Sequence, residues 1–114
     1  MSKVAIVMGS AKDQPKMQAA GGTLARFGIE YEERVLSAHK TPDAAFEFAD
    51  TASEQGFSVI IAGAGKAAHL AGVMAAKSLL PVIGVPLSAS LQGLDALLAT
   101  VQMPTGIPVA PGAV

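Results

Sequence analysis

Val59-Ile60-Ile61-Ala62-Gly63-Ala64-Gly65 is the most informative stretch of this sequence, because a short apolar run ends there in a glycine-rich turn. A continuous run of valine, isoleucine and alanine is typical of a strand that a parallel sheet buries on both faces. An alanine-rich segment follows at residues 66–79 and predicts a helix. Strand, glycine turn and helix together form the repeating unit of an α/β fold.

The same unit recurs on both sides of this stretch. Four further segments predict strands, at residues 4–8, 30–36, 82–85 and 107–109. Three further segments predict helices, at residues 15–27, 42–55 and 94–101. We expect Thr41 to cap the second helix with Pro42 at its first position, and Phe46, Ala49 and Ala52 to form its apolar stripe. The alternating order predicts right-handed crossovers and one α/β domain over residues 1–114, a three-layer α/β/α sandwich with a parallel sheet.

The composition narrows the classes of function. The chain has 114 residues, of which 51% are hydrophobic and 15% charged, and its net charge is −1. So little charge predicts apolar surface that other subunits cover, and hence a homo-oligomer. A net charge near zero argues against nucleic-acid or membrane-surface binding. The sequence has no cysteine. The first strand is predicted to begin at Lys3, so we expect no signal peptide. No apolar stretch reaches the roughly 18 residues needed to span a bilayer, so we expect no membrane span and a cytoplasmic location.

Three loops emerge as the candidate site. In parallel α/β sheets, ligands bind beyond the carboxyl ends of the strands. That rule selects the loops at residues 9–13, 37–42 and 63–69, which hold both histidines and most of the small polar residues. Glycines after a buried strand allow close approach of a flat ligand, and histidine is the side chain best suited to moving a proton near neutral pH.

Each loop also has an ordinary structural interpretation. Asp13 is suited to capping the first helix, His39 and Lys40 to a solvated helix start, and His69 to a hydrogen-bonded place in the core. Neither a phosphate-binding Gly-Lys-Ser/Thr ending nor a dinucleotide fingerprint is present, and the hydrolase motif G-x-S-x-G is absent. Two histidines without a nearby carboxylate pattern make an incomplete metal site.

Six motifs in chain order resemble one known family. They are residues 4–10 (VAIVMGS), 37–39 (SAH), 60–65 (IIAGAG), 67–70 (AAHL), 81–86 (PVIGVP) and 101–104 (VQMP). Together they resemble the PurE-type N5-carboxyaminoimidazole ribonucleotide mutases of purine synthesis, collinearly over nearly the whole chain. The resemblance implies a flavodoxin-like sandwich that assembles as an octamer. It also implies conversion of the N-carboxylated nucleotide to 4-carboxy-5-aminoimidazole ribonucleotide, with no metal and no cofactor.

The resemblance also assigns roles to residues of this sequence. It implies His69 as the single acid/base catalyst, and apolar pocket walls from Ala67, Ala68, Leu70 and Met103. The residues that it implies for binding the ribonucleotide substrate are Ser10, Asp13, Ser37, His39, Lys40, Gly65 and Ala67.

Several positions depart from the family pattern. Lys40 stands where the mutases carry arginine, and Lys66 stands where they carry a second glycine. Lysine keeps the charge of arginine but loses its bidentate fork. The family's C-terminal helices are expected to be missing from this single domain. Two other functions therefore stay open: a carboxylase that uses free carbon dioxide, whose branch shares S-A-H-K, and a shortened, assembly-forming relative without turnover.

Overall fold

The computed structural model describes residues 2–113, which form a five-stranded sheet with four α-helices. The elements in chain order are β1 (Lys3–Met8), α1 (Gln14–Arg26), β2 (Tyr31–Val35), α2 (Pro42–Thr51), β3 (Phe57–Gly65), α3 (Leu70–Lys77), β4 (Val82–Leu87), α4 (Leu94–Val101) and β5 (Ala110–Pro111). All strand pairs are parallel and their order is β2-β1-β3-β4-β5. The predicted flavodoxin-like parallel sheet is confirmed.

Strand β1 lies inside the sheet and is buried on both faces. Ala5 and Val7 point into the core under α2 and α3, whereas Ile6 and Met8 point into the core under α1. Because neighbouring side chains of a strand alternate between the two faces, a strand covered on both sides needs apolar residues at every position. The uninterrupted run at residues 4–8 is the result.

Helix α1 packs closely on its face of the sheet through Met17 and Gly21. Met17 is fully buried, and a Cβ at Gly63 of β3 would clash with its sulfur. A Cβ at Gly21 would lie 2.8 Å from the ring of Tyr31 on β2. Its neighbour Gly22 has open space around it. One glycine of the pair therefore serves close packing, and the other does not.

The opposite face of the sheet is covered by α2, α3 and α4. The buried stripe of α2 consists of Ala45, Phe48, Ala49 and Ala52. The prediction of Phe46 in that stripe is wrong, since its side chain is 40% exposed. The helix begins at Pro42, as predicted.

Helices α3 and α4 close over Gly84 of β4. A Cβ at Gly84 would lie 2.6 Å from Thr100 Cγ2 of α4, 2.8 Å from Val109 Cγ1 and 3.1 Å from Ala71 Cβ of α3. Thr100 is buried, and its hydroxyl donates to the Ala96 carbonyl at 2.8 Å. The absence of a side chain at residue 84 is therefore what lets both helices reach the strand.

The apolar residues of α4 that predict the helix are mostly not in the core. Ala96 and Thr100 are buried, whereas Leu94, Leu97, Leu98 and Val101 are between 42% and 55% exposed. We call these four side chains the α4 apolar stripe. Helix α3 begins at Leu70, four residues later than predicted. The prediction of the last strand at residues 107–109 is wrong, since β5 is Ala110–Pro111.

Strand β2 forms one edge of the sheet and carries a charged network. The Glu32 carboxylate pairs with the Lys3 ammonium of β1 and with Arg34 Nη2, the latter at 2.7 Å. The hydrogen bond from Lys3 and that from Arg34 hold the pKa of Glu32 below its ordinary value. Charged side chains along an edge strand also disfavour pairing with another sheet edge.

Candidate active site

A cleft of about 520 Å³ opens at the carboxyl ends of β1, β2 and β3. All eight residues that the sequence analysis places in the site lie along it: Ser10, Asp13, Ser37, His39, Lys40, Gly65, Ala67 and His69. Because parallel strands end at one edge of a sheet, three loops that are far apart in sequence meet there.

The loop after β1 is a tight turn stabilised by Ser10. A one-turn 3-10 helix, Ala11–Asp13, separates Ser10 from α1. The Lys12 backbone N–H donates to Ser10 Oγ at 3.2 Å, and the Asp13 N–H donates to the Ser10 carbonyl at 3.0 Å. The N–H groups of Lys12 and Asp13 are thus already engaged within the loop. The Asp13 side chain makes no capping hydrogen bond to α1, so that ordinary interpretation of Asp13 is wrong.

The loop after β2 is held by hydrogen bonds between Ser37 and Thr41. The Ser37 backbone N–H donates to Thr41 Oγ1 at 2.9 Å, and the Lys40 N–H donates to Ser37 Oγ at 3.0 Å. Thr41 precedes α2 as predicted, but its side chain closes this turn instead of capping the helix. Since Ser37 Oγ accepts from the backbone, its own hydrogen is available to donate to an anion in the cleft.

The loop after β3 brings Lys66 and His69 to the cleft. Lys66 adopts a φ of 55°, the left-handed region that suits glycine, which is the residue of the mutase pattern at this position. His69 lies immediately before α3 rather than within a longer helix. The expected position of His69 inside a helix is therefore wrong, although its place at the carboxyl end of β3 is as predicted.

The two histidines contact each other at the cleft. His39 Nε2 and His69 Nδ1 are 3.0 Å apart, and the rings meet edge-on with centroids 5.0 Å apart. At this distance one nitrogen donates and the other accepts, so the two imidazoles share a proton between them. Both rings are exposed in the single chain. The ordinary interpretation of His69 as a core histidine is therefore wrong.

The cleft carries a net positive charge. The ammonium groups of Lys12, Lys40 and Lys66 line it, against the one carboxylate of Asp13. Among residues 2–113, none of these three lysines forms an ion pair. Such a cleft attracts an anionic ligand.

The apolar walls differ in part from those expected. Ala67 and Leu70 line the cleft, whereas Ala68 is buried beneath it. Met103 lines a neighbouring cavity of about 560 Å³, which the cleft meets at His69. The sequence analysis also missed Ala89, which follows β4 and lines the cleft. Extending the strand-end rule to β4 would have found that loop.

Within residues 2–113, no group of three or more His, Asp or Glu residues is arranged to hold a metal ion. No helix there has the length and the apolar character that crossing a bilayer requires.

The chain is thus a parallel α/β sandwich with a cationic cleft at its strand ends, where two histidines meet at hydrogen-bond distance. A cleft in this position is typical of ligand sites in parallel α/β folds. A family model described as "AIR carboxylase" matches residues 3–114. The chain therefore belongs to the AIR carboxylase family.

Named relatives agree with this assignment. An N5-carboxyaminoimidazole ribonucleotide mutase from Pyrococcus abyssi is 58% identical over 111 residues, which are 96% of this chain and 64% of that protein. The mutase of Bacillus subtilis is 56% identical over 94% of this chain and 67% of its own length. The crystal structure of Treponema denticola PurE has a TM-score of 0.89 at 28% identity, covering 99% of this chain and 72% of that one. This chain thus spans about two thirds of the relatives that it matches.

Proposed function

We propose that this chain carries the active site of an N5-carboxyaminoimidazole ribonucleotide mutase. The observation that carries the proposal is the hydrogen-bonded pair of His39 and His69 in a cleft lined by three ammonium groups. Names of relatives at 53–58% identity support the same reaction. The substrate has a phosphate, a flat ring and a migrating carboxylate, and the reaction needs one proton delivered and one removed.

The reaction is a carboxyl transfer within one nucleotide. The bond between N5 and the carboxyl carbon breaks, carbon dioxide leaves, and the electron pair left on N5 takes a proton. The ring carbon C4 then attacks the carbon dioxide, and the proton on C4 must be removed. Protons therefore balance: an imidazolium gives the first, and the imidazole so formed takes the last.

We assign the acid/base role to His69, with His39 sharing its proton. The resemblance implies for His39 only a part in binding the substrate. The 3.0 Å contact between the rings supports a larger one, because whichever nitrogen holds the shared proton sets the tautomer of the other ring. In this proposal the two histidines therefore act together.

The polar groups of the first two loops suit the phosphate. Ser10 and Ser37 each have a hydroxyl hydrogen that backbone contacts leave available, and Lys40 supplies the countercharge. Asp13 is suited to accept from the ribose hydroxyls. Gly65 and Ala67 present little bulk, which lets the ring lie against the backbone of the third loop.

The test is turnover of the N-carboxylated nucleotide by purified variants. His69→Asn keeps a polar, hydrogen-bonding side chain but cannot cycle a proton, so we expect a loss of about 10²–10⁴-fold in rate. His39→Asn makes the same change at the other histidine and serves as the matched variant. Retention of more than about a tenth of the rate in His69→Asn, with loss in His39→Asn, would move the role to His39. Full activity in both would overturn the proposal.

Lys40 favours a second candidate, the carboxylase that adds carbon dioxide to aminoimidazole ribonucleotide. The two reactions differ in what they consume. A mutase converts the N-carboxylated substrate without added bicarbonate, whereas a carboxylase forms the same product only when bicarbonate is supplied. A folded chain that does neither would favour the shortened, non-catalytic relative.

We further propose that the chain works as a homo-oligomer. The α4 apolar stripe is exposed on the single chain, and so are both histidines. Trapping carbon dioxide requires a covered cleft. A neighbouring subunit is the simplest source of that cover, and the implied octamer of the family provides neighbours.

A further inference from the structure

Lys66 adopts a backbone conformation that disfavours its side chain. Its φ of 55° belongs to the left-handed region, which is unfavourable for a residue with a Cβ relative to the ordinary helical region. Two other non-glycine residues, Leu91 and Gln92, also have positive φ. Only Lys66 of the three lines the cleft, and only it bears a charge. Such strain is frequently retained where a side chain has a function.

The position of Lys66 along the sheet edge separates it from the proposed phosphate site. Lys40 follows β2, Lys66 follows β3, and β1 lies between those strands. Adjacent strands are about 4.8 Å apart, so the two strand ends are separated by about 10 Å. Because the two lysines rise from loops on opposite sides of β1, a ligand with an anionic group at each end can contact both at once.

We propose that Lys66 binds the carboxylate of the ligand, while Lys40 serves its phosphate. This inference rests on the proposed function, since it requires a ligand with both groups. The neighbours of Lys66 in the loop are small and apolar, and its ammonium has no carboxylate partner within residues 2–113. Lys66 is then a specificity residue that favours carboxylated over carboxyl-free nucleotide.

The experiment compares two ligands that differ only in the carboxylate. Dissociation constants are measured by calorimetry for aminoimidazole ribonucleotide and for 4-carboxy-5-aminoimidazole ribonucleotide, with circular dichroism to show that each variant is folded. Lys66→Met keeps the chain length and removes the charge. We expect it to weaken the carboxylated ligand about fivefold and the carboxyl-free ligand less than about twofold, as one partly exposed charge contact allows.

Two variants serve as controls. Lys66→Arg keeps the charge and should bind both ligands within about twofold of the parent. Lys40→Met removes the proposed phosphate contact and should weaken both ligands by the same factor. Equal weakening of both ligands in Lys66→Met, or no weakening of either, overturns the role of Lys66 and leaves the proposed function standing. A parent chain that binds neither nucleotide at millimolar concentration overturns both.

Discussion

Replacing Gly84 by alanine should destabilise the domain, although glycine-to-alanine changes in regular structure usually stabilise. The new Cβ would lie 2.6, 2.8 and 3.1 Å from atoms of Thr100, Val109 and Ala71, where about 3.4–4 Å is an ordinary contact. Thr100 and Val109 are β-branched and stiff at χ1, so neither turns away easily. Overpacking of this kind costs about 1–3 kcal/mol. The gain from removing a strand glycine is about 0.5–1 kcal/mol, which leaves a net loss of about 1–2 kcal/mol.

The assay is urea unfolding followed by circular dichroism at one fixed chain concentration. Gly22→Ala is the matched control, because the same methyl group enters open space on α1. That variant should gain about 1 kcal/mol from helix propensity. The two variants should therefore unfold about 2–3 kcal/mol apart, in opposite directions from the parent. A Gly84→Ala domain as stable as the parent would refute the argument that α3 and α4 need a bare backbone at residue 84.

Three further outcomes are expected. Lys66→Gly should gain about 0.5–1 kcal/mol in unfolding free energy by relieving the left-handed backbone, while Lys66→Ala, which keeps a Cβ, should gain nothing. The two basic partners of Glu32 lower its pKa, so the charged carboxylate stabilises the fold at pH values above the ordinary pKa of 4.5. The difference in unfolding free energy between the parent and Glu32→Gln should therefore close as the pH falls below that value. Replacing Leu97 and Leu98 of the α4 apolar stripe by lysine should lower the mass found by light scattering, and an unchanged mass would show that the stripe is not an interface.

Most of the fold follows from the sequence because β1, β3 and β4 are buried on both faces. A strand under such cover must be apolar throughout, which is why the apolar runs predict all three strands. The predicted end of β3 is wrong, because the glycine-rich stretch expected as a turn, Gly63-Ala64-Gly65, belongs to the strand. The predictions fail where tertiary contacts determine which side chains are buried and where a helix begins. Phe46 and the leucines of α4 are apolar yet exposed, and only the packing of neighbouring helices determines which face of a helix is covered. The predicted start of α3, at residue 66, is too early because alanine favours helix wherever it occurs.

The position of the candidate site was predictable, but the contacts within it were not. The strand-end rule needs only the strand order, and it brought together all eight proposed residues. The hydrogen bond between His39 and His69 depends on two loops 30 residues apart, and no local pattern indicates it. The left-handed backbone of Lys66 was equally hidden, since lysine gives no sign of a positive φ.

The meeting of three strand ends at one cleft makes a ligand there a non-covalent cross-link. Its contacts would join the loops that follow β1, β2 and β3. These loops come together only when residues 3–65 have folded into the sheet. A partly folded chain in which β3 is detached has no complete cleft. The ligand therefore binds only the chain whose sheet is fully folded, and binding stabilises the whole sheet. By mass action, ligand at about 100 times its dissociation constant adds about 2.7 kcal/mol to the stability of the folded state. Ligand binding in the cleft should therefore raise the melting temperature of the domain, even in a chain that does not catalyse the carboxyl transfer.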